Sequence, residues 1–276
     1  MDKNGFHIEK VFDNVYKISD SPAMNNFLIL GSKKAMLIDT GCAVGNLREV
    51  VESLCDTEYY VMNTHFHSDH VGANFQFDEV YINEKEEEMM LELFTDPKEK
   101  ETHLVMMEYY DTHFHTELDK QIFLESKPTF KVRHIHDGDE FDLGNITIKA
   151  IEISGHSPAG IAFLEVENKR LFNGDIVLRH ASLIHKNGMD IRTFIAGMEK
   201  LWTYSDQFDI TIAAHGHRKP SFEPLPKEFI LKLIQCAKEI DIDKSVEKIE
   251  CVDKGFEYKM ENDDVSLAYK LNQLNM

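Results

Sequence analysis

The feature that most restricts the fold of this chain is the order of its local patterns: β-rich, then helical, then β-rich again. Short runs such as "VYKIS" (15–19), "NFLIL" (26–30) and "KAMLID" (34–39) come early, separated by the Gly, Ser, Pro and Asn punctuation of hairpins. "TGCAVGNLREVVESL" (40–54) starts with small residues and continues at helical spacing through Leu47, Val50, Val51 and Leu54. "TEYYVMNT" (57–64) and "DEVYIN" (78–83) read as strands again. Residues 84–127 are charged, Met-rich and free of glycine, with one proline, Pro97, near the middle. That predicts a helix or helix pair broken near Pro97. From 129 onward "TFKVRHI", "EFDLG", "ITIKAIEIS", "GIAFLEV" and "KRLFNGD" return to β character. A helix is expected over 190–203 with Asp190 as its N-cap. "FDITIAAHGH" (208–217) is a further strand ending in histidines, "PLPKEFILKLIQCAKEI" an amphipathic helix, and the last thirty residues alternate weakly, like a short hairpin. Two packed sheets with helices outside satisfy this order, whereas a parallel βαβ array does not. No repeat or linker divides the sequence, so one domain over 1–276 with a helical insert at about 84–127 is expected.

Net charge narrows the partners. At −19 the chain repels phosphate backbones and anionic membrane surfaces, which argues against nucleic acid and membrane as partners and leaves a small-molecule substrate. An anionic substrate would need a bound cation to invert the local field. The four cysteines, Cys42, Cys55, Cys236 and Cys251, are far apart and form no CxxC, so a reducing compartment is expected. The charged start "MDKNGFHIEK" lacks a signal-peptide core, and no stretch approaches the roughly 18 apolar residues that span a bilayer, so a cytoplasmic location is expected.

"THFH" occurs twice, at 64–67 and 112–115, and "HIH" at 134–136. The first copy continues as "THFHSDHVGANF" directly after a β run. His65 and His67, two apart at a strand end, point to one face. Asp69 and His70 follow in the turn, so four ligand-type groups fall within six residues. Imidazole is the commonest ligand of zinc-type metals and carboxylates complete such shells. The second copy is followed by "TELD" within a run that reads as helix, where positions two apart diverge. Its His113 and His115 are expected to be solvated, at most lining the rim of a site. His134 and His136 lead into the turn "DGDEFDLG" without a third ligand nearby and are read as structural.

The first motif resembles the HxHxDH signature of the metallo-β-lactamase superfamily. Four further stretches match that family's elements in order: "LIDTG" (37–41), "ISGHSPAG" (153–160), "LFNGD" (171–175) and "AAHG" (213–216). The resemblance implies a four-layer αββα sandwich of two mixed β-sheets with outer helices. It also implies a binuclear site, with His65, His67 and His156 on one metal, Asp69, His70 and His215 on the second, and Asp175 bridging. His217 is a weaker rival to His215. Asp39 is expected behind the ligands, orienting a histidine. Zinc is the expected metal, with iron and manganese suited to the same donors.

Such a site implies hydrolysis by a metal-bridging hydroxide, with Asp69 orienting it and taking its proton. No GxSxG appears. The substrate is expected to be a small ester, thioester or lactone. The acidic balance argues against the family's nucleases, and HxHxDH in place of HxExDH argues against its di-iron reductases. No cysteine in 171–175 argues against β-lactamases with a Cys ligand. The C-terminal stretch lacks the basic character of the glutathione thioesterases. Alternatives are a mononuclear iron oxidoreductase of the persulfide dioxygenase type, a phosphodiesterase, or a non-catalytic binding module. In the insert, Met89, Met90, Met106, Met107, Tyr109 and Tyr110 could form a lid or acyl channel, pack the insert on itself, or form a homo-oligomer contact.

Overall fold

The computed structural model describes residues 2–20, 24–109, 116–215, 222–240, 249–250, 256–259, 265–270 and 273. The first half builds β1 (Asp2–Lys3), β2 (Phe6–Phe12), β3 (Val15–Ser19), β4 (Asn25–Leu30), β5 (Ala35–Ile38), α1 (Leu47–Leu54), β6 (Tyr59–Met62), α2 (Ser68–Val71), β7 (Glu79–Ile82), α3 (Glu87–Thr95), α4 (Pro97–Tyr109), α5 (Glu117–Glu125) and β8 (Lys131–His134). The eight strands form one sheet in sequence order, antiparallel through β5 and parallel from β5 to β8. Next come β9 (Glu140–Asp142), β10 (Thr147–Ile153), β11 (Gly160–Glu165), β12 (Arg170–Phe172), β13 (His180–Ser182), α6 (Ile191–Trp202), β14 (Ile210–Ile212), β15 (Leu225–Pro226) and α7 (Phe229–Glu239). They supply a second mixed sheet in the order β15-β14-β12-β11-β10-β9, with β12 and β14 parallel.

Side-chain alternation makes the layers. Along β4 and β5, Phe27, Ile29, Met36 and Ile38 point into a core shared with Ile148, Ala150, Ile161, Phe163 and Phe172 of the second sheet. Their neighbours Leu28, Ala35 and Leu37 point the other way, against Leu47, Val50 and Val51 of α1 and Met90 and Leu93 of α3. On the far face of the second sheet, Ala162 and Leu164 of β11 meet Phe194 and Met198 of α6 and Ile230 and Leu233 of α7. The result is an α/β sandwich, helices–sheet–sheet–helices. Each large side chain taken from water stabilises it by roughly 1.5–3 kcal/mol.

The helix boundaries follow local chemistry. Asn46 Oδ1 accepts from Glu49 N at 3.1 Å to start α1, and Thr116 and Asp119 form a reciprocal capping box at α5. Asp190 Oδ1 accepts from Arg192 N and Thr193 N at 2.9 and 3.0 Å, so the expected helix after Asp190 is α6. The helical stretch divides further than its composition suggests: α3 ends before Pro97, Pro97 opens α4, and α5 is a separate helix. Residues 112–115 lie outside the described residues. The C-terminal region also departs from a plain hairpin. β16 (Ile249–Glu250), β17 (Phe256–Lys259) and β18 (Ser266–Tyr269) pair antiparallel, and β18 adds a parallel ladder to β13, giving a third, four-stranded sheet. No helix among the described residues is long and apolar enough to cross a membrane.

Candidate metal centre

Strand direction gathers the site. Because β5 and β6 are parallel, Asp39 and His65 emerge at the same sheet edge, and Asp39 N donates to Met62 O at 2.7 Å. The parallel pair β12 and β14 likewise brings Asp175 and His215 to one edge of the second sheet, tied by Ala214 N to Gly174 O at 3.0 Å. Ile161 N donates to Thr64 O at 2.7 Å and closes the two edges on each other. The single turn of α2 then sets Asp69 and His70 beside His65. The fit at this junction requires glycine at 174. Its φ is 52°, and a Cβ there would stand 2.5 Å from Thr64 Oγ1.

Three histidines meet at their lone pairs. A backbone carbonyl only accepts, so His156 Nδ1, 2.8 Å from Ser182 O, and His67 Nε2, 3.3 Å from Lys186 O, carry the ring protons. Thr64 Oγ1 gives its single proton to the Asp39 carboxylate at 2.8 Å and therefore accepts from His65 Nδ1 at 3.0 Å. The remaining nitrogens, His65 Nε2, His67 Nδ1 and His156 Nε2, all face inward without protons. His67 Nδ1 lies 2.9 Å from each of the other two. Burial holds the His65 and His67 rings well below the ordinary histidine range and His156 down at about 4, which disfavours a proton between them. Unprotonated nitrogens this close repel each other, and a cation is the partner that fits their chemistry.

The second group lies alongside. His215 Nε2 is 3.2 Å from both Asp69 Oδ2 and Asp175 Oδ2, and His70 Nε2 is 3.6 Å from Asp175 Oδ1. Both His70 Nε2 and Asp175 Oδ1 are buried without a hydrogen-bond partner, which is costly unless something else satisfies them. Burial disfavours charge on His70, yet Asp39, Asp175 and Asp69 together outweigh it and push the ring up to about 10. The surroundings thus ask for positive charge at this point, which a metal ion can supply in place of a proton. Asp175 Oδ2 also lies 3.6 Å from His156 Nε2, so this carboxylate touches both groups. Three overlapping triads, His65/His67/His156, His65/His70/Asp175 and Asp69/His70/His215, each keep their ligand-type atoms within 4.8 Å of one another.

The structure therefore brings together His65, His67, Asp69, His70, His156, Asp175 and His215, from loops up to 150 residues apart in sequence (215 − 65). Asp39 stands behind them, with Oδ1 accepting from Thr64 N at 2.7 Å and Oδ2 from His70 Nδ1 at 2.8 Å. His134 and His136 stay apart from the cluster: His134 Nε2 pairs with Glu87 Oε2 at 2.7 Å, and His136 with Asp139. His113, His115 and His217 lie outside the described residues. In the insert, Met90 packs into the core of the first sheet. Met107 joins Met24, Cys42, Val44 and Ala214 in an apolar cluster next to His215. Thr64, Glu86, and the Ser182 and Lys186 carbonyls also hold the cluster in place, without a signal in the sequence. Backbone acceptors leave no trace in side-chain identity, and Glu86 is hidden in a run of charged residues.

Comparison with known proteins agrees with this geometry. A family model described as the metallo-beta-lactamase superfamily matches residues 23–193. The chain is 29% identical over 206 residues to the acyl-coenzyme A thioesterase MBLAC2 of Homo sapiens, an alignment covering 70% of this chain and 72% of that one. It is 23% identical to the atrochrysone carboxyl ACP thioesterase of Claviceps purpurea, over 70% of this chain and 50% of that protein. Among solved structures, a metallo-beta-lactamase from Pontibacter korlensis superimposes with a TM-score of 0.58 at 14% identity, covering 84% of this chain and 99% of the other.

Proposed function

The chain belongs to the metallo-β-lactamase superfamily, and on that premise we propose that it is a binuclear metal-dependent hydrolase of a small acyl thioester. The observation that carries the metal reading is the convergence of His65 Nε2, His67 Nδ1 and His156 Nε2, two of the three separations being 2.9 Å, beside His70 Nε2 and Asp175 Oδ1, which lie 3.6 Å apart and are buried without a hydrogen bond. In this reading His65, His67 and His156 would hold one divalent cation and Asp69, His70 and His215 a second, with the Asp175 carboxylate available to either group. Zinc is favoured, and iron or manganese suits the same donors. When bound, the cations supply the Lewis acidity that lowers the pKa of water and polarises a carbonyl.

The protein's own share is orientation and proton handling. Ser182 O and Lys186 O fix the tautomers of His156 and His67, and Asp39 fixes that of His70. Asp69, with Oδ2 against His215 and Oδ1 3.9 Å from His70 Nε2, is placed to orient the attacking water and take its proton. Thioester is favoured over lactone or simple ester because the relatives named for acyl-coenzyme A and ACP thioester cleavage match across 70% of the chain.

A panel of acyl-coenzyme A thioesters, lactones and phosphodiesters tests the substrate class. An acyl thioester is expected to turn over fastest, with His67→Ala, which removes a metal ligand, and Asp69→Asn, which removes the proton acceptor, each losing at least about 100-fold in rate. Full activity of both variants on the best substrate would overturn the mechanism, and preference for a phosphodiester would overturn the substrate class.

A further inference from the structure

Glu86 is a buried carboxylate that plays no part in the candidate centre as described so far. It closes a 3-10 turn at 84–86, opening the helical stretch, and its side chain is fully buried. Oε2 accepts from Phe66 N at 2.9 Å, while Oε1 accepts from Ser157 Oγ at 2.6 Å and Ala159 N at 2.8 Å. Phe66 is the residue between His65 and His67, and Ser157 directly follows His156. One carboxylate therefore grips both loops that carry the three-histidine group. Among the described residues its partners are neutral donors, so the loops, and not a counter-ion, satisfy this carboxylate. The turn is itself anchored, with Asn83 Oδ1 accepting from Lys85 N and Asn83 Nδ2 donating to Glu152 Oε2 at 2.7 Å.

We propose that Glu86 is a positioning residue that sets the spacing of His65 and His67 against His156. The proposal rests on the metal reading given above. Substitution by glutamine keeps the volume but replaces one acceptor by an N–H donor. If that donor faces Phe66 N the first loop loses its bond; if it faces the second loop, Ser157 Oγ can turn and accept but Ala159 N loses its acceptor, so one backbone bond is lost whichever way the amide turns. Ser157→Ala removes a single bond and leaves the carboxylate in place.

The experiment is cobalt(II) titration of the full chain, read by its visible spectrum and by competition with a chelator. Wild type, Glu86→Gln, Ser157→Ala and Asn14→Ala are compared, the last removing hydrogen bonds to Glu165 and Arg170 at the ends of β11 and β12 remote from the centre. Glu86→Gln is expected to weaken cobalt binding at the three-histidine group about 10- to 100-fold and to change its spectrum, with kcat falling more than KM changes. Ser157→Ala is expected to move the same way by less, and Asn14→Ala to leave spectrum and affinity as in wild type. If Glu86→Gln does not fold, Ser157→Ala decides alone: an unchanged spectrum and affinity overturn the proposal. Glu86→Gln matching Asn14→Ala in every cobalt readout would also overturn it, leaving the metal reading intact. Failure of the wild type to bind cobalt would overturn the metal reading and this proposal together.

Discussion

Asp39 and His70, on different loops, are joined by a 2.8 Å hydrogen bond between Oδ2 and Nδ1, and Asp39 holds it from a left-handed backbone conformation, φ 62°. A non-glycine residue there is strained, and such strain concentrates where a side chain must be aimed. The same carboxylate receives Thr64 N and Thr64 Oγ1, so one residue sets the proton positions of both His65 and His70. Asp39→Asn places an amide N–H against at least one of these donors. It is expected to weaken metal binding about 10- to 100-fold, measured by chelator competition. Unchanged affinity would show that Asp39 does not orient the ligands.

Gly174→Ala tests the junction between the sheets. At φ 52° an added Cβ is strained, and it would meet Thr64 Oγ1 at 2.5 Å and Thr64 Cβ at 2.7 Å. The left-handed conformation alone costs roughly 1–2 kcal/mol, and displacing Thr64 adds to it. A loss of about 2 kcal/mol or more is expected in urea unfolding, with weaker metal binding because Thr64 orients His65. A variant as stable as wild type would show that this loop is not tightly held.

Much of the candidate site was legible because its residues sit at strand ends, where one motif fixes several side chains at once. "HFHSDH" carries four ligand-type residues on one turn, and "LIDTG", "NGD" and "AAHG" each end a strand whose parallel partner ends at the same edge. Asp190 was legible for a related reason: a capping residue precedes a regular apolar stripe. Glu86 was not. In Glu84–Glu88 four of five residues are glutamates, and only the packing of the turn decides which one faces inward. The third sheet was equally hidden, since the ladder of β18 joins residues 180–182 to 266–268, a pairing that no local pattern encodes. β2 escaped because the burial of "FHIEKVF" alternates cleanly only over its first half.

Asp190 gives a prediction about pH. Burial raises its carboxyl, but hydrogen bonds from Thr193 and from the Thr193 and Arg192 amides outweigh that and hold it below the ordinary value of 3.8. A carboxylate with a depressed pKa in the folded state stabilises above its unfolded value, and that contribution is lost as pH falls through the folded one. Asp190→Ala is expected to cost about 1 kcal/mol near neutral pH, the usual worth of an N-cap. The gap from wild type should narrow as the pH drops below 3.8, measured by urea unfolding across pH. A gap that stays constant into acid would contradict the charge-dependent part of this cap.

The central claim is that this cluster holds two cations, and elemental analysis of the purified chain tests it most directly. About two divalent ions per chain are expected, with zinc predominant, falling to about one in His67→Ala and unchanged in Asn14→Ala. One iron per chain together with oxygen consumption on a persulfide, or a metal content that His67→Ala leaves untouched, would contradict it.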